Sequence, residues 1–431
     1  MLRSKYVLAV VAVLALLIGS QVIAQDDVIE IEYWQYNFGA RVDAMNMLIE
    51  QFEAENPNIR VVHNSDIAYD NFRDEIAAAA PAGVGPDVVS LFYGWIPSFV
   101  DAGYLVPLPE PFTEEYINET FVPMVAGSAS FEGEYYAVPT AVRSLSLFYN
   151  IDILEAAGYD APPATLEELV EMAQALTVYE DPENPSIETI TQEGFPPQFS
   201  GQWHHWFREV LLRQYGGVPY SEDNREVLWG SEEGCEAFAY MTQFETDLLT
   251  GSNDLFTDSD DAFVNGLAAL HIDGSFRLGT IANNNPDLNF GIAELPTLGE
   301  DGERHTYGSY WTHGITRRAA GDEARLEAAT KFLQFITTAE AGELWVAEVG
   351  ELPAQNAALE NEELTSDPIL GPFIEGLAYS HATFFVDETA QRQNLIDAYD
   401  LVRLSGFDPC DALLEYAAVE QDLLDEFWED R

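Results

Sequence analysis

Strand and helix signals alternate at the start of the chain, and this order constrains the fold more than any other feature. A β-prone segment at 28–34 precedes a helical pattern at 41–55, whose apolar residues fall on one face. A second strand is predicted at 59–62, a second helix at 71–80 and a third strand at 87–91. Repeated strand–helix–strand order requires a parallel sheet covered by helices, so the sequence predicts an α/β fold.

The same two patterns continue along the rest of the chain. Strands are predicted at 145–150, 268–272 and 290–293, and helices at 165–176, 203–214, 235–249, 322–337 and from 387 onwards. The helix at 165–176 opens with a capping box, in which Thr165 and Glu168 cap each other's backbone.

The first 24 residues have the pattern of a secretory signal peptide. Arg3 and Lys5 precede an apolar run from Val7 to Ile18, and Ala24 closes the segment. The run has 12 residues, too few to cross about 30 Å of hydrocarbon. No cysteine lies near Ala24, so we expect a soluble periplasmic or extracellular protein without a lipid anchor.

The chain is strongly acidic and contains few cysteines. Its 431 residues include 18 Lys+Arg and 75 Asp+Glu, a net charge of −57. Such a charge repels phosphate backbones and argues against nucleic acid as a partner. The two cysteines, Cys235 and Cys410, are too few for a disulfide-rich scaffold or a cysteine-ligated metal site. In an oxidising compartment they form one disulfide or remain two buried thiols.

Motifs of common enzymes are absent from the sequence. It has no Walker loop, no Gly-x-Gly-x-x-Gly, no Gly-x-Ser-x-Gly and no His-Glu-x-x-His. We therefore expect no cofactor, no metal and no catalysis. The many carboxylates leave a secreted glycoside hydrolase open, because any two of them are candidates for an acid–base pair.

Aromatic residues accumulate where predicted strands and helices meet loops. The groups lie at 34–38, 92–95, 203–206, 276 and 307–311. Ligands of open α/β sheets bind at the carboxyl ends of strands. A sugar ring offers C–H faces to aromatic rings and hydroxyl groups to polar side chains, so these groups favour a carbohydrate site.

Several segments carry a family resemblance, in one order along the chain. They are Phe52–Ile59, Gly85–Val89, Ala102–Leu108, Gly133–Pro139, Leu147–Asn150, Ile272–Gly274 and Glu351–Ala354. With these segments the chain resembles extracellular solute-binding protein family 1, the sugar-binding subunits of ABC importers.

The resemblance implies a two-lobed α/β periplasmic-binding-protein fold, similar to type II, with a ligand cleft between lobes joined by a multi-strand hinge. The crossing segments are expected near 139–144, 307–314 and 350–356. The N-lobe would comprise 26–139 with 312–352, and the C-lobe 140–311 with 353–431.

The resemblance also implies a set of ligand-binding residues. The N-lobe would contribute Trp34, Asn37, Phe38, Asp66, Tyr93 and Trp95; the hinge and C-lobe would contribute Arg143, His204, Trp206, Asp273, Phe276, Tyr310 and Trp311. Arg143 stands at a hinge position that is acidic in maltose-binding relatives, which leaves room for an acidic or differently linked sugar.

The function implied is capture of a carbohydrate, an oligosaccharide or disaccharide, by lobe closure and its delivery to the permease of an ABC transporter. We expect the protein to act as a monomer. One alternative keeps the fold but binds a polyamine or organic acid, with Arg143 and Arg277 favouring an anion. The other alternative is the glycoside hydrolase.

Overall fold

The computed structural model describes residues 28–429, apart from 199–200, 254 and 256–258. The predicted signal peptide at 1–24 lies outside the described residues. Within them, every helix is too short or too polar to cross a membrane.

Most of the strands belong to one mixed sheet. In chain order the strands are β1 (Ile29–Tyr36), β2 (Ile59–Ile67), β3 (Val88–Phe92), β4 (Ser130–Phe131), β5 (Glu134–Tyr135), β6 (Ala137–Asn150), β7 (Val178–Tyr179), β8 (Ile190–Gln192), β9 (Leu270–Gly274), β10 (Phe290–Ala293), β11 (Thr306–Ile315), β12 (Leu352–Pro353) and β13 (Ser380–His381).

Helices cover the sheet and fill the remaining chain. They are α1 (Gly39–Glu55), α2 (Tyr69–Ala82), α3 (Ile96–Asp101), α4 (Glu114–Thr120), α5 (Pro123–Ser128), α6 (Ile151–Ala157), α7 (Leu166–Leu176), α8 (Trp203–His205), α9 (Leu212–Gln214), α10 (Glu232–Thr246), α11 (Ser259–Val264), α12 (Arg277–Asn284), α13 (Arg317–Ala320), α14 (Glu323–Ile336), α15 (Ala339–Val349), α16 (Glu362–Thr365), α17 (Gly371–Gly376), α18 (Glu388–Ser405) and α19 (Pro409–Glu429). Trp206–Leu211 is a π-helical segment that joins α8 to α9.

The main sheet has the strand order β10-β6-β11-β3-β1-β2. β1 pairs in parallel with β2 and β3, as the strand–helix–strand order predicts. β11 then pairs antiparallel with β3, and β6 pairs antiparallel with β11. The α/β fold is confirmed, and the sheet gains an antiparallel part that periodicity alone did not predict.

β6 runs through both halves of this sheet. Its first half pairs with β11 and β12, and its second half pairs with β9 and β10. The three segments expected at the hinge, 139–144, 307–314 and 350–356, therefore lie side by side. This strand pairing is the multi-strand connection that the fold class requires.

Buried apolar side chains form two clusters. One surrounds β1 and includes Tyr33, Phe52 and Phe332; the other includes Trp203 and Phe238. Two cores agree with two lobes, but the boundaries at 26–139 with 312–352 and 140–311 with 353–431 stay a prediction.

Two local predictions about helix ends are confirmed. Thr165 and Glu168 form the predicted capping box at the start of α7. The C-terminal part is helical but divides into α18 and α19, because Gly406 adopts a φ of 66° and ends α18 as a left-handed cap. Pro409, which lacks a backbone N–H, then begins α19.

A disulfide joins α10 to α19. Cys235 and Cys410 are bonded, with their Cα atoms 4.6 Å apart and a separation of 175 in the sequence. The structure thus selects the bonded form from the two forms that the sequence left open.

Reduction of this disulfide is expected to lower the free energy of unfolding by about 2–4 kcal/mol, because the cross-link restricts the unfolded chain. Guanidinium unfolding with and without reductant measures the change. The double variant Cys235→Ser with Cys410→Ser is the control and should not respond to reductant. A wild-type midpoint that reductant leaves unchanged would contradict the expectation.

Glu193 is buried beside β8, where its carboxylate accepts a hydrogen bond from the backbone N–H of Ser252 at 2.9 Å. Burial raises the pKa of Glu193 to about 7. The unfolded chain therefore loses this proton at lower pH than the folded chain does. The free energy of unfolding falls as the pH rises from the ordinary pKa of a glutamate, 4.5, to about 7.

Replacement of the carboxyl group by an amide should remove this pH dependence. We expect Glu193→Gln to match the wild type near pH 4 and to exceed it near pH 8, by up to roughly 3 kcal/mol in the free energy of unfolding. Chemical unfolding at the two pH values measures the difference. Parallel pH profiles for the two proteins would contradict it.

Candidate ligand cleft

A cavity of about 680 Å³ opens at the carboxyl ends of the parallel strands. Asn37 and Phe38 follow β1, Tyr69 follows β2 and Phe92 ends β3, and all four line the cavity. Ligands of open α/β sheets bind at this end of the strands. The volume lies within the usual range for small-molecule sites. We call this cavity the cleft.

Aromatic rings form one side of the cleft. Tyr36 is the centre of the group: its ring centroid lies 4.2 Å from Trp311, 5.2 Å from Tyr69 and 6.2 Å from Phe38. Phe38 is 48% exposed and Tyr69 is 49% exposed. Aromatic side chains that remain open within a concave site are available to bind a ligand.

A second group of lining residues comes from the other half of the sheet. Phe276 follows β9 and precedes α12, and Gly279, Thr280 and Asn283 of α12 also line the cleft. Positions 276, 279, 280 and 283 recur at helical spacing, so one face of α12 borders the cavity.

The crossing strands form the base of the cleft. Tyr307, Ser309 and Trp311 of β11 line it, as does Arg143 of β6, which pairs with Ser309. Between Tyr307 and Trp311, every second residue of β11 lines the cleft, because successive side chains of a strand point to opposite faces.

Glu351 lies at this base and binds several groups at once. Its carboxylate contacts both Nε, at 3.2 Å, and Nη2 of Arg41, and accepts a hydrogen bond from the Trp345 indole at 2.9 Å. Nε of Arg143 is 3.2 Å away. Burial disfavours the charged carboxylate, but Arg41 and Arg143 outweigh this effect and keep the pKa of Glu351 below its usual value.

His205 lines the cleft with its imidazole ring. Its ring stacks on Tyr307 with centroids 3.7 Å apart and planes 7° from parallel. Burial, with the neighbouring His204 as a smaller cause, holds the pKa of His205 well below its usual value. The imidazole is therefore neutral near neutral pH.

α18 contributes a charged pair. Glu388 accepts a hydrogen bond from the Trp95 indole at 3.0 Å and one from Arg392 at 3.1 Å. Glu388 and Arg392 line the cleft, whereas Trp95 is buried behind Trp311, 5.4 Å away.

The structure brings five of the residues expected from the family resemblance together in the cleft: Asn37, Phe38, Arg143, Phe276 and Trp311. Their side chains come from both halves of the sheet and from the crossing strands, so the cavity spans the junction of the two halves.

Trp206 and His204 do not face the cleft, which corrects their assignment. Both are fully buried, and Trp206 packs against Trp203 at 4.9 Å and Phe195 at 5.6 Å. Consecutive residues of a helix point about 100° apart, so His205 faces the cleft and its two neighbours enter the core.

Tyr310 and Asp273 are also buried away from the cleft. Tyr310 alternates with the lining residues of β11, and its hydroxyl group lies 2.6 Å from Ser128 Oγ. Asp273 accepts from the backbone N–H of Gly274 at 2.7 Å and pairs with Arg277. Its carboxylate fixes the turn after β9.

The remaining expected residues, Trp34, Asp66 and Tyr93, do not line the cleft. Trp34 donates to Glu32 at 3.3 Å, and Asp66 is exposed near the end of β2. Tyr93 lines a second cavity of about 490 Å³, between the β4–β5 hairpin and the turn at 222–225.

Several lining residues were not predicted from the sequence, among them Tyr69, Arg41, Glu351 and Arg392. Tyr69 follows a strand, as the other aromatic candidates do, but β2 ends at Ile67, beyond the predicted end at 62. Glu351 lies in one of the family segments, where sequence analysis assigned it only to the hinge.

The described ranges contain no cluster of three or more His, Cys, Asp or Glu side chains that would hold a metal ion. For ligand binding the cleft offers aromatic rings, hydroxyl and amide groups, and arginine–glutamate pairs.

Curated relatives of the chain include two sugar-binding proteins. The maltotriose-binding protein of Pyrococcus abyssi is 25% identical over 338 residues, 78% of this chain and 68% of the relative. The maltodextrin-binding protein MdxE of Bacillus subtilis is 25% identical over 301 residues, 66% of each chain. The chain thus spans about two thirds of the length of these relatives.

The fold is shared with solved structures. The cyclic alpha-maltosyl-1,6-maltose binding protein of Arthrobacter globiformis superposes with a TM-score of 0.79 at 22% identity, covering 92% of this chain and 99% of that one. Residues 47–372 match the model of a family described as bacterial extracellular solute-binding protein. Because this match spans more than half of the chain, the protein belongs to the bacterial extracellular solute-binding protein family.

Proposed function

We propose that this protein captures a carbohydrate, a disaccharide or oligosaccharide, by closure of two lobes around the cleft and delivers it to the permease of an ABC transporter. In this proposal it is exported through the signal peptide at 1–24, acts outside the cytoplasm as a monomer and does not alter its ligand. Its relatives named for maltotriose and maltodextrin support this class of ligand.

The observation that carries the proposal is the exposed aromatic surface within the cleft. Phe38 and Tyr69 are about half exposed, although burial of such rings would stabilise the fold. Rings held open beside hydroxyl and amide groups match a sugar, whose C–H faces stack on the rings while its hydroxyl groups bind the polar side chains.

The carboxylates of the cleft favour binding over hydrolysis. Glu351 is paired with two arginines that lower its pKa, whereas the general acid of a glycoside hydrolase needs a raised pKa. Glu388 is bonded to Trp95 and Arg392. Neither group is arranged as a free acid or base.

Binding should be visible as stabilisation by a saccharide, since a ligand bound only by the folded protein raises its melting temperature. A thermal-shift screen with maltotriose, maltotetraose and uronic-acid oligomers identifies the class. Chromatography of the same mixtures after incubation tests for cleavage. An absence of stabilisation by every saccharide, or the appearance of shorter products, would contradict the proposal.

We expect Phe38→Ala and Tyr69→Ala each to weaken binding of the most stabilising saccharide about tenfold, because each removes one stacking ring. Calorimetric titration measures the loss. Phe407→Ala is the matched control, since Phe407 is 46% exposed and lies beyond α18, away from the cleft. Equal affinities for all three variants would remove Phe38 and Tyr69 from the site.

Closure is expected to reduce the radius of gyration when the saccharide is added, because a ligand that bridges both lobes favours the closed form. Small-angle X-ray scattering of the free and saturated protein measures the change. Identical profiles would contradict closure without affecting the binding result.

A further inference from the structure

The charges that line the cleft differ from those of the chain as a whole. Arg41, Arg143, Arg392, Glu351 and Glu388 are its charged lining residues within the part of the chain that the structure describes. The chain itself has 18 Lys+Arg and 75 Asp+Glu. A protein whose acids greatly outnumber its bases therefore forms a cleft in which bases are the majority.

Arg143 holds the excess positive charge. Nε and Nη2 of Arg41 are bound to Glu351 and its Nη1 to Tyr36, while Arg392 is paired with Glu388 at 3.1 Å. The ion pair of Arg143 with Glu351 is made through Nε, at 3.2 Å. Among the described residues, its two terminal nitrogens have no hydrogen-bond partner, and 18% of its side chain is exposed.

The position of Arg143 is fixed by the crossing strands. It lies opposite Ser309 of β11, and the preceding residue, Val142, pairs with both Tyr310 and Leu352. The guanidinium carbon is 5.3 Å from the centroid of Phe276, which holds the group against an aromatic face. Burial lowers the pKa of Arg143, and Glu351 offsets only part of this effect.

We propose that the ligand is an acidic oligosaccharide, built from uronic acids, and that the two terminal nitrogens of Arg143 bind a carboxylate of one of its rings. This inference rests on the proposed function and specifies its substrate class. The free edge of a guanidinium matches a planar carboxylate with two parallel hydrogen bonds. One unmatched positive charge balances one carboxylate, whereas a phosphate monoester brings a charge nearer −2.

The acidic surface of the protein does not oppose this binding at physiological salt. Repulsion between exposed charges is largely screened beyond about 8 Å at that ionic strength. Contact between the carboxylate and Arg143 is short and partly shielded from solvent, so it is screened much less.

The test compares charged and neutral forms of one saccharide by calorimetric titration. The probes are tetragalacturonate and an oligomannuronate of the same length, the methyl ester of each, maltotetraose and glucose 6-phosphate. We expect the wild type to bind one of the two uronates at least tenfold more tightly than its methyl ester and maltotetraose, the range of a charge-assisted pair.

Arg143→Gln should abolish this preference and leave the fold intact, because Glu351 keeps its contacts with Arg41 and Trp345. Arg143→Lys should retain only part of it, since an ammonium group cannot form the planar pair. Arg60→Gln removes one charge from the opposite, amino end of β2 and should bind as the wild type does.

Each other outcome has a defined meaning. Neutral saccharides that bind as well as uronates, unaffected by Arg143→Gln, would overturn this inference and leave the proposed function standing. A preference for glucose 6-phosphate that is lost in Arg143→Gln would overturn the carboxylate assignment. Failure of every saccharide to bind would overturn both the inference and the proposed function.

Discussion

The geometry of the cleft depends on the contacts made by the buried carboxylate of Glu351. It binds Arg41 from α1, Trp345 from α15 and Arg143 from β6, so three separate elements meet at one charge. Removal of a carboxylate from water costs several kcal/mol unless charged partners and hydrogen bonds compensate. The compensation is present only when α1, α15 and β6 are correctly assembled, which makes the base of the cleft a product of the whole fold.

The strand and helix pattern of the fold was predictable from periodicity, because buried faces repeat every two or about 3.6 residues. The amino-terminal half of β6 was not predictable from periodicity. Its carboxyl half was predicted as a strand at 145–150, but the structure has one strand over Ala137–Asn150. The polar Arg143 and Ser144 interrupt the apolar pattern, since this central part of the strand passes the cleft rather than a uniform core.

The cleft was predictable as a region but not residue by residue. Aromatic groups after strands marked the correct ends of the sheet. Of two adjacent residues, however, one can be buried in the core while the other lines the cleft. Tyr310 is buried and Trp311 lines the cleft; His204 is buried and His205 lines it. Contacts such as Arg41 with Glu351, 310 positions apart, depend on tertiary packing, and no spacing rule in the sequence indicates them.

The disulfide between Cys235 and Cys410 makes the attachment of α19 depend on the redox state of the compartment. In a reducing compartment, where such bonds do not persist, the chain carries two thiols, and α19 is held by noncovalent contacts such as the buried ion pair between Arg208 and Glu420. Oxidation adds a covalent link between α10 and α19. In the proposed function the protein acts outside the cytoplasm, where the bonded form persists.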